Sequence, residues 1–279
     1  MIHGKLHRSA IRSIGSAKQG RGRAVSEAAH LMQKIAERVK NGSMARPKKG
    51  LVQSRGIGDI IIALPIAKYF SDRGYDVFWP IDRRFMSHFV NAAPYVTFLP
   101  LEPSVEPSFY YDIPLAKLRE IGCSDIHVLY SALRGREHVV DQKLADYVTF
   151  DRYKYAVAGV PFREKWNLSL VRNPKREQAL FERLIEKPTY TVCHFQCSAY
   201  RVELDVPATP ETQVIRISEV TDCVFDWITI LERAAARVLI DSCFANLVEQ
   251  LSMTGKKAFI RNPLVPFSPV LINDWEFLR

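Results

Sequence analysis

The sequence predicts an α/β fold of two Rossmann-like domains facing a cleft, with the second domain small. Three observations predict it. From Leu51 onward, short apolar runs alternate with amphipathic stretches, the rhythm that yields parallel strands with helices on both faces. At residues 51–59 an apolar strand passes through Gln53-Ser54-Arg55-Gly56-Ile57-Gly58 into an apolar helix with Asp59 in its first turn. A second strand-to-helix junction, Asp241-Ser242-Cys243 after Val238-Leu239-Ile240, lies near the C-terminus.

Composition sets the outer limits. A chain of 279 residues with 47% hydrophobic content can bury one large or two modest cores. No apolar run approaches the ~20 residues that cross a bilayer, and the N-terminus lacks the apolar region of a secretory signal, so a cytoplasmic location is expected. The five cysteines (Cys123, Cys193, Cys197, Cys223, Cys243) are odd in number and scattered, which suits reduced thiols rather than a disulfide framework. Cys193 and Cys197 have C-x3-C spacing but no second pair completes a zinc site, so no metal is expected.

Residues 1–50 read as a basic N-terminal extension. They hold twelve Lys/Arg and two acids, net +10, and the rest of the chain has 27 basic and 28 acidic residues. Residues 5–23 read as a solvated arm, and Ser26-Glu27 starts an expected helix through Val39 with Ala28, Leu31, Ile35 and Val39 on one face. Two readings of the extension stay open: a contact with nucleic acid or another polyanion, or a plain flexible extension, even sequence upstream of a start at Met44.

Residues 51–187 read as the first domain, an acceptor domain under the resemblance described below. Helices are expected over 60–72, 83–92, 142–156 and 175–186, and strands at 51–52, 76–79 (stopped by Pro80), 96–99 and 126–129. Pro188 marks the expected boundary to the second domain, residues 188–279. There, strands are expected at 190–195, 213–217, 238–240 and 257–260, with helices at 222–236, capped by Thr221 or Asp222, and 244–253. The tail from Val270 is expected to bring Trp275 and Phe277 back to the first domain. Tandem units of this kind leave a cleft at the C-terminal ends of their strands, lined by loops 54–59, 196–201 and 241–246.

Ser54-Arg55-Gly56-Ile57-Gly58-Asp59 with the following apolar helix and Pro65, and Arg237 to Leu247, resemble the two signature regions of the ADP-heptose:lipopolysaccharide heptosyltransferase family, a glycosyltransferase family 9-like group with the GT-B fold. The family's second motif reads D-[ST]-G-x-x-H-L-A; here Cys243 replaces the glycine and Asn246 the histidine, where relatives hold the donor. The resemblance implies a divergent, compact glycosyltransferase that moves a sugar from a nucleotide-diphosphate sugar to a hydroxyl acceptor by an inverting, metal-independent route. It implies no cofactor beyond that co-substrate, and a donor-binding second domain.

The chemistry needs a base for the acceptor proton and cationic or N–H groups for the leaving diphosphate. Asp59 is placed for the first task, and the resemblance assigns it the same role; the alternative is a helix-start acid favoured by the dipole, and the Gly-x-Gly turn before it favours the functional reading. Arg55, Gly56 and Gly58 form an acceptor or phosphate loop. The resemblance puts Ser198, Tyr200 and Arg201 where relatives bind phosphates, although Arg201 also suits a surface arginine balancing Glu203 and Asp205. Donor binding is expected from Asp241, Ser242, Cys243 and Asn246; Ser242 also reads as a helix cap and Asp241 as a buried acid fixing its loop.

Ile61 occupies the third-glycine place of a dinucleotide fingerprint, and there is no phosphate-loop Gly-Lys-[Ser/Thr], no Asp-x-Asp pair and no Gly-x-Ser-x-Gly elbow. His194 reads as a core or loop histidine. Two alternatives to glycan transfer remain: a phage-type DNA-base glycosyltransferase acting on modified nucleic acid through the basic arm, and a non-catalytic nucleotide-sugar or protein-binding relative.

Overall fold

A computed structural model describes residues 46–197, 200–262 and 268–278. The arm, the helix expected over 26–39 and Ser198 lie outside the described residues. The strands and helices run β1 (Lys48–Val52), α1 (Ile57–Asp72), β2 (Asp76–Asp82), a 3-10 turn leading into α2 (Met86–Phe89), β3 (Val96–Leu101), α3 (Asp112–Glu120), β4 (Asp125–Val128), α4 (Gln142–Tyr147), α5 (Phe150–Val157) and α6 (Pro174–Leu184). They continue with β5 (Thr189–His194), β6 (Thr212–Arg216), α7 (Ile228–Arg233), β7 (Ala236–Ile240), α8 (Cys243–Gln250), β8 (Lys256–Ile260) and β9 (Glu276–Leu278). Among the described residues the strands form two parallel sheets, ordered β3-β2-β1-β4 and β6-β5-β7-β8-β9. This is the α/β architecture that the alternation predicts. Both sheets lie in one compact unit, Pro47–Arg279.

The helix α1 is apolar nearly all round and is buried along most of its length, from Ile60 to Ala67 and again at Phe70. A helix without a polar face needs cover on every side. It gets that cover from the first sheet, from α5 and from α8. Pro65 inside α1 has no N–H, so the Ile61 carbonyl one turn earlier loses its helical donor. Gln250 of α8 supplies the replacement, donating from Nε2 to Ile61 O at 3.3 Å. The Tyr155 hydroxyl of α5 donates to the next carbonyl, Ile62 O, at 2.8 Å.

Several elements differ from their expected bounds, each for a local reason. Lys48, Lys49 and Gly50, counted with the extension, are the first part of β1. Pro80 does not stop β2: the pairing with β1 ends at Phe78 while that with β3 runs on to Asp82, so Pro80 sits where a ladder N–H towards β1 is no longer needed. The helix expected over 142–156 is two helices, because the β-branched pair Val148-Thr149 takes extended backbone. The helix expected over 222–236 shrinks to a 3-10 turn at Val224–Trp227 and α7, and the one over 83–92 to a similar turn and α2. Neither α3 nor β9 has a counterpart among the expected elements.

Besides the α1–α8 contact, α6 and the tail also link the halves. α6 precedes Pro188 yet packs on α7; Arg176 forks onto Asp226 and also pairs with Asp222, while Arg172 joins Glu177 to Glu232. In the tail, the Trp275 and Phe277 rings meet Phe259 edge-on at 5.9 and 5.8 Å, so these aromatics cover the second sheet rather than the first domain. The residue that reaches the first half is Val270. Its carbonyl accepts from Lys165 Nζ at 2.6 Å, and its N–H donates to Asp151 Oδ2 at 2.7 Å.

Asp151 and Lys165 themselves form a 2.7 Å ion pair with both side chains fully buried. Burial alone would push the Asp151 carboxyl up, but the charge and hydrogen bond of Lys165, together with hydrogen bonds from Thr149 and the Val270 N–H, outweigh it and hold the group below its ordinary value. Removing one partner of such a pair strands the other charge. Lys165→Met should therefore lower the unfolding free energy by roughly 3–5 kcal/mol in urea titrations at neutral pH, whereas Lys68→Met, which removes an exposed helix pair, should cost under about 1 kcal/mol.

Candidate active site

In an open parallel sheet, ligands bind where consecutive connections leave a strand in opposite directions, outside the strands' carboxyl ends. The first sheet has this point between β1 and β4, and the second between β5 and β7. Gln53 to Arg55 follow β1 and Leu129-Tyr130 follow β4; Phe195 follows β5 and Asp241-Ser242 follow β7. Contact between α1 and α8 brings the two points together. A Cβ on Gly58 would lie 3.3 Å from the Cys243 amide nitrogen and 3.4 Å from Asn246 Nδ2, so the two helix starts touch at a position that glycine fits.

Asp59 stands at this junction with its side chain 38% exposed, the half-open carboxylate the sequence points to. Its Oδ1 lies 2.9 Å from Nζ of Lys154, a residue of α5 that is almost wholly buried. Its Oδ2 folds back over Gly56, filling the space a Cβ there would need, 2.5 Å away. Gly56 also has φ +82°, a left-handed backbone that side chains resist. The loop before it is tied to the first sheet. Ser54 Oγ donates to Phe109 O at 3.0 Å, the Arg55 N–H donates to the Tyr130 hydroxyl at 3.1 Å, and Gln53 Nε2 donates to Arg55 O at 2.8 Å.

The Arg55 side chain is engaged elsewhere. Its guanidinium lies over the Phe109 ring, donates to Ser104 O at 2.6 Å and to the Tyr110 hydroxyl at 3.3 Å, and faces Asp82 at 3.5 Å. Asp82 is buried, yet hydrogen bonds from Arg84 and the charges of Arg84 and Arg55 overcome the desolvation and keep its carboxyl below the ordinary value. Arg55 thus braces the wall of the first half rather than facing Asp59.

Across the junction, Ser242 does not cap α8 with its side chain. Its hydroxyl pairs instead with His194 Nδ1 at 2.9 Å, a histidine that burial pushes down to about 4 and so keeps neutral. Burial drives the Cys243 thiol up to about 12, so it is no thiolate at neutral pH. Asn246 donates to Ser242 O at 3.0 Å, and its buried Oδ1 has no hydrogen-bond partner among the described residues. Asp241 is pushed up to about 7, first by desolvation and then by the charges of Asp59 and Asp151, with Lys165 opposing. Burial raises the Tyr200 hydroxyl to about 12, with the charge of Asp241 adding to it.

The structure therefore gathers Asp241, Ser242, Cys243 and Asn246 beside Gly56, Gly58 and Asp59. Arg201 stands apart: it is exposed, forms an antiparallel bridge with Gln196, and lines a separate cavity of about 450 Å³ on the β5–β6 side with Phe195, Glu203, Asp205 and Arg216. Lys154 and Lys165, which charge this seam, escaped the sequence reading, since a lone lysine in an amphipathic run looks like a solvated one. Among the described residues no three His, Cys, Asp or Glu side chains cluster as a metal site, and no helix is long and apolar enough to cross a membrane.

No family model matches the sequence, and a comparison with curated proteins finds no match. Solved structures do match. ADP-heptose lipopolysaccharide heptosyltransferase II of E. coli aligns with 84% of this chain and 90% of its own at 12% identity and TM-score 0.52. A family 9 glycosyl transferase from Veillonella parvula aligns with 84% of this chain and 87% of its own at 11% identity and TM-score 0.51. The dodecameric, iron-containing heptosyltransferase TibC of enterotoxigenic E. coli, solved with ADP-D-β-D-heptose, aligns at 11% identity and TM-score 0.50 over 84% of this chain. The chain spans only 63% of TibC's length in that complex. At such identities the likeness is one of fold, and the fold is GT-B-like, that of the family 9 heptosyltransferases.

Two outcomes follow from the geometry. Gly56→Ala should lose about 1–2 kcal/mol from its positive φ alone and should displace Asp59, visible as lost stability in denaturant titrations. For Asp241, the folded state keeps a proton between about pH 4 and about pH 7 that the unfolded chain has released, so this group's contribution to stability falls as pH rises through that window. Asp241→Asn should remove that slope, so its stability relative to wild type should rise steadily across the same pH range.

Proposed function

We propose that the protein is a glycosyltransferase that moves a sugar from a nucleoside-diphosphate sugar to a hydroxyl acceptor, with Asp59 as general base. One observation carries this reading: a half-exposed carboxylate is held at the first turn of α1, beside Gly58, where that turn touches an α8 start whose serine leaves the helix uncapped. The GT-B-like fold supports it, since the three solved structures described above are glycosyltransferases and one was solved with ADP-D-β-D-heptose.

The proposed step is a single displacement. Asp59 takes the proton of the acceptor hydroxyl as its oxygen forms the bond to the anomeric carbon, the bond from that carbon to the diphosphate oxygen breaks, and its electron pair leaves with the nucleoside diphosphate. Attack opposite the leaving group inverts the anomeric centre. First-turn N–H groups of α8 receive the developing negative charge, a role that suits a helix N-terminus. Donor binding falls to the second half, with Asp241 and Tyr200 near the sugar or ribose hydroxyls. The acceptor, a glycan in this reading, meets the first half beside Asp59.

A thermal-shift panel of nucleoside-diphosphate sugars, beginning with ADP-heptose, should reveal a donor that raises the melting temperature with concentration. With that donor, Asp59→Asn should cut transfer by about 10²–10⁴-fold, the usual worth of a general base, while the donor-induced melting shift stays. Transfer should persist in chelator and give an inverted product. Transfer that survives Asp59→Asn would refute the base assignment, and binding without any transfer by the wild type would reduce the protein to a nucleotide-sugar binder.

A further inference from the structure

Lys154 Nζ donates to Gln53 Oε1 at 2.8 Å and to Leu129 O at 3.2 Å, and lies 2.9 Å from Asp59 Oδ1 in an ion pair. Its side chain is 2% exposed, and Asp59 is the carboxylate in ion-pair contact with it among the described residues. Gln53 and Leu129 are the first residues beyond β1 and β4, the two strands flanking the switch point of the first sheet. The ammonium is therefore seated directly beneath the crevice, anchored by hydrogen bonds to both strand ends and paired in charge with the carboxylate above. A buried ammonium without a counter-charge is costly, so the lysine and the carboxylate depend on each other for placement.

We propose that Lys154 is the positioning residue of the site: it locks Asp59 through Oδ1 and leaves Oδ2, folded over Gly56, as the oxygen that meets the acceptor proton. This rests on the reading of Asp59 as the base. Side-chain torsions of an unanchored aspartate at a helix start carry the carboxylate over more than an ångström, and misplacement on that scale costs about 10²-fold in rate. Gly56 belongs to the same device, because any side chain there would push Oδ2 out of its place.

The test compares Lys154→Met, Lys154→Arg, Asp59→Asn and the double variant Asp59→Asn/Lys154→Met in the full chain, by melting temperature and by transfer from the donor that the thermal-shift panel identifies. Lys154→Met should lower kcat by about 10- to 100-fold with donor KM changed less than about two-fold, and Lys154→Arg should recover part of that loss. Asp59→Asn should lower the melting temperature by stranding the ammonium, and adding Lys154→Met should restore part of it. In kcat, the double variant should be no slower than Asp59→Asn alone. An unchanged kcat in Lys154→Met, or losses in kcat that multiply in the double variant, would overturn the positioning role; additive melting-temperature changes would overturn the pairing itself. A wild type without any transfer would instead overturn the reading of Asp59 as base, while the melting cycle would still judge the pair.

Discussion

The molecule depends on the seating of α1. This helix has no polar face to give to water, so both halves of the chain must close on it, and its proline frees a carbonyl that the second half answers through Gln250. A buried carbonyl left unpaired would cost about 1–3 kcal/mol, so the hydrogen bond fixes not only that α1 and α8 meet but at which turn. The same register brings the two helix starts into contact at Gly58 and Cys243, and hence sets the loop after β1 against the loop after β7. Site geometry is thus a by-product of packing an apolar helix.

Charge placement in the seam follows a second rule. Lys154 and Lys165 are both buried, and each is matched with one carboxylate, Asp59 and Asp151. Asp241, the third acid of the seam, is driven up to about 7 first by burial and then by the charges of the other two acids, with Lys165 opposing. Two carboxylates that face one cleft from opposite halves are thereby set in unlike environments, one salt-bridged and one able to keep its proton near neutrality. Separating carboxylates by environment is how one site obtains groups with different proton-handling tasks.

Much of this was legible in the sequence, and the reasons differ by element. The alternation of apolar runs predicts both parallel sheets because period and length are local properties. Gly56, Gly58, Asp59 and the 241–246 junction stand out because strand-to-helix turns need particular residue types. Lys154 does not stand out, since its meaning comes from Gln53 and Leu129, about 100 and 25 positions away in the chain. Arg55 and Arg201 illustrate the converse: each follows a strand, but one is captured by Asp82 and an aromatic wall and the other opens on a different cavity. Pro80 and the split at Val148-Thr149 turn on register and backbone choices that composition does not carry.

In the proposed function, the touching starts of α1 and α8 form one site for a nucleoside-diphosphate sugar. A crystal structure with the donor bound should show the diphosphate against the first turn of α8, the nucleoside towards the β5–β7 crevice, and the anomeric carbon facing Asp59 with room between them for one acceptor hydroxyl. A donor seated elsewhere, in the cavity beside Arg201 and Arg216 with its anomeric carbon remote from Asp59, would contradict it.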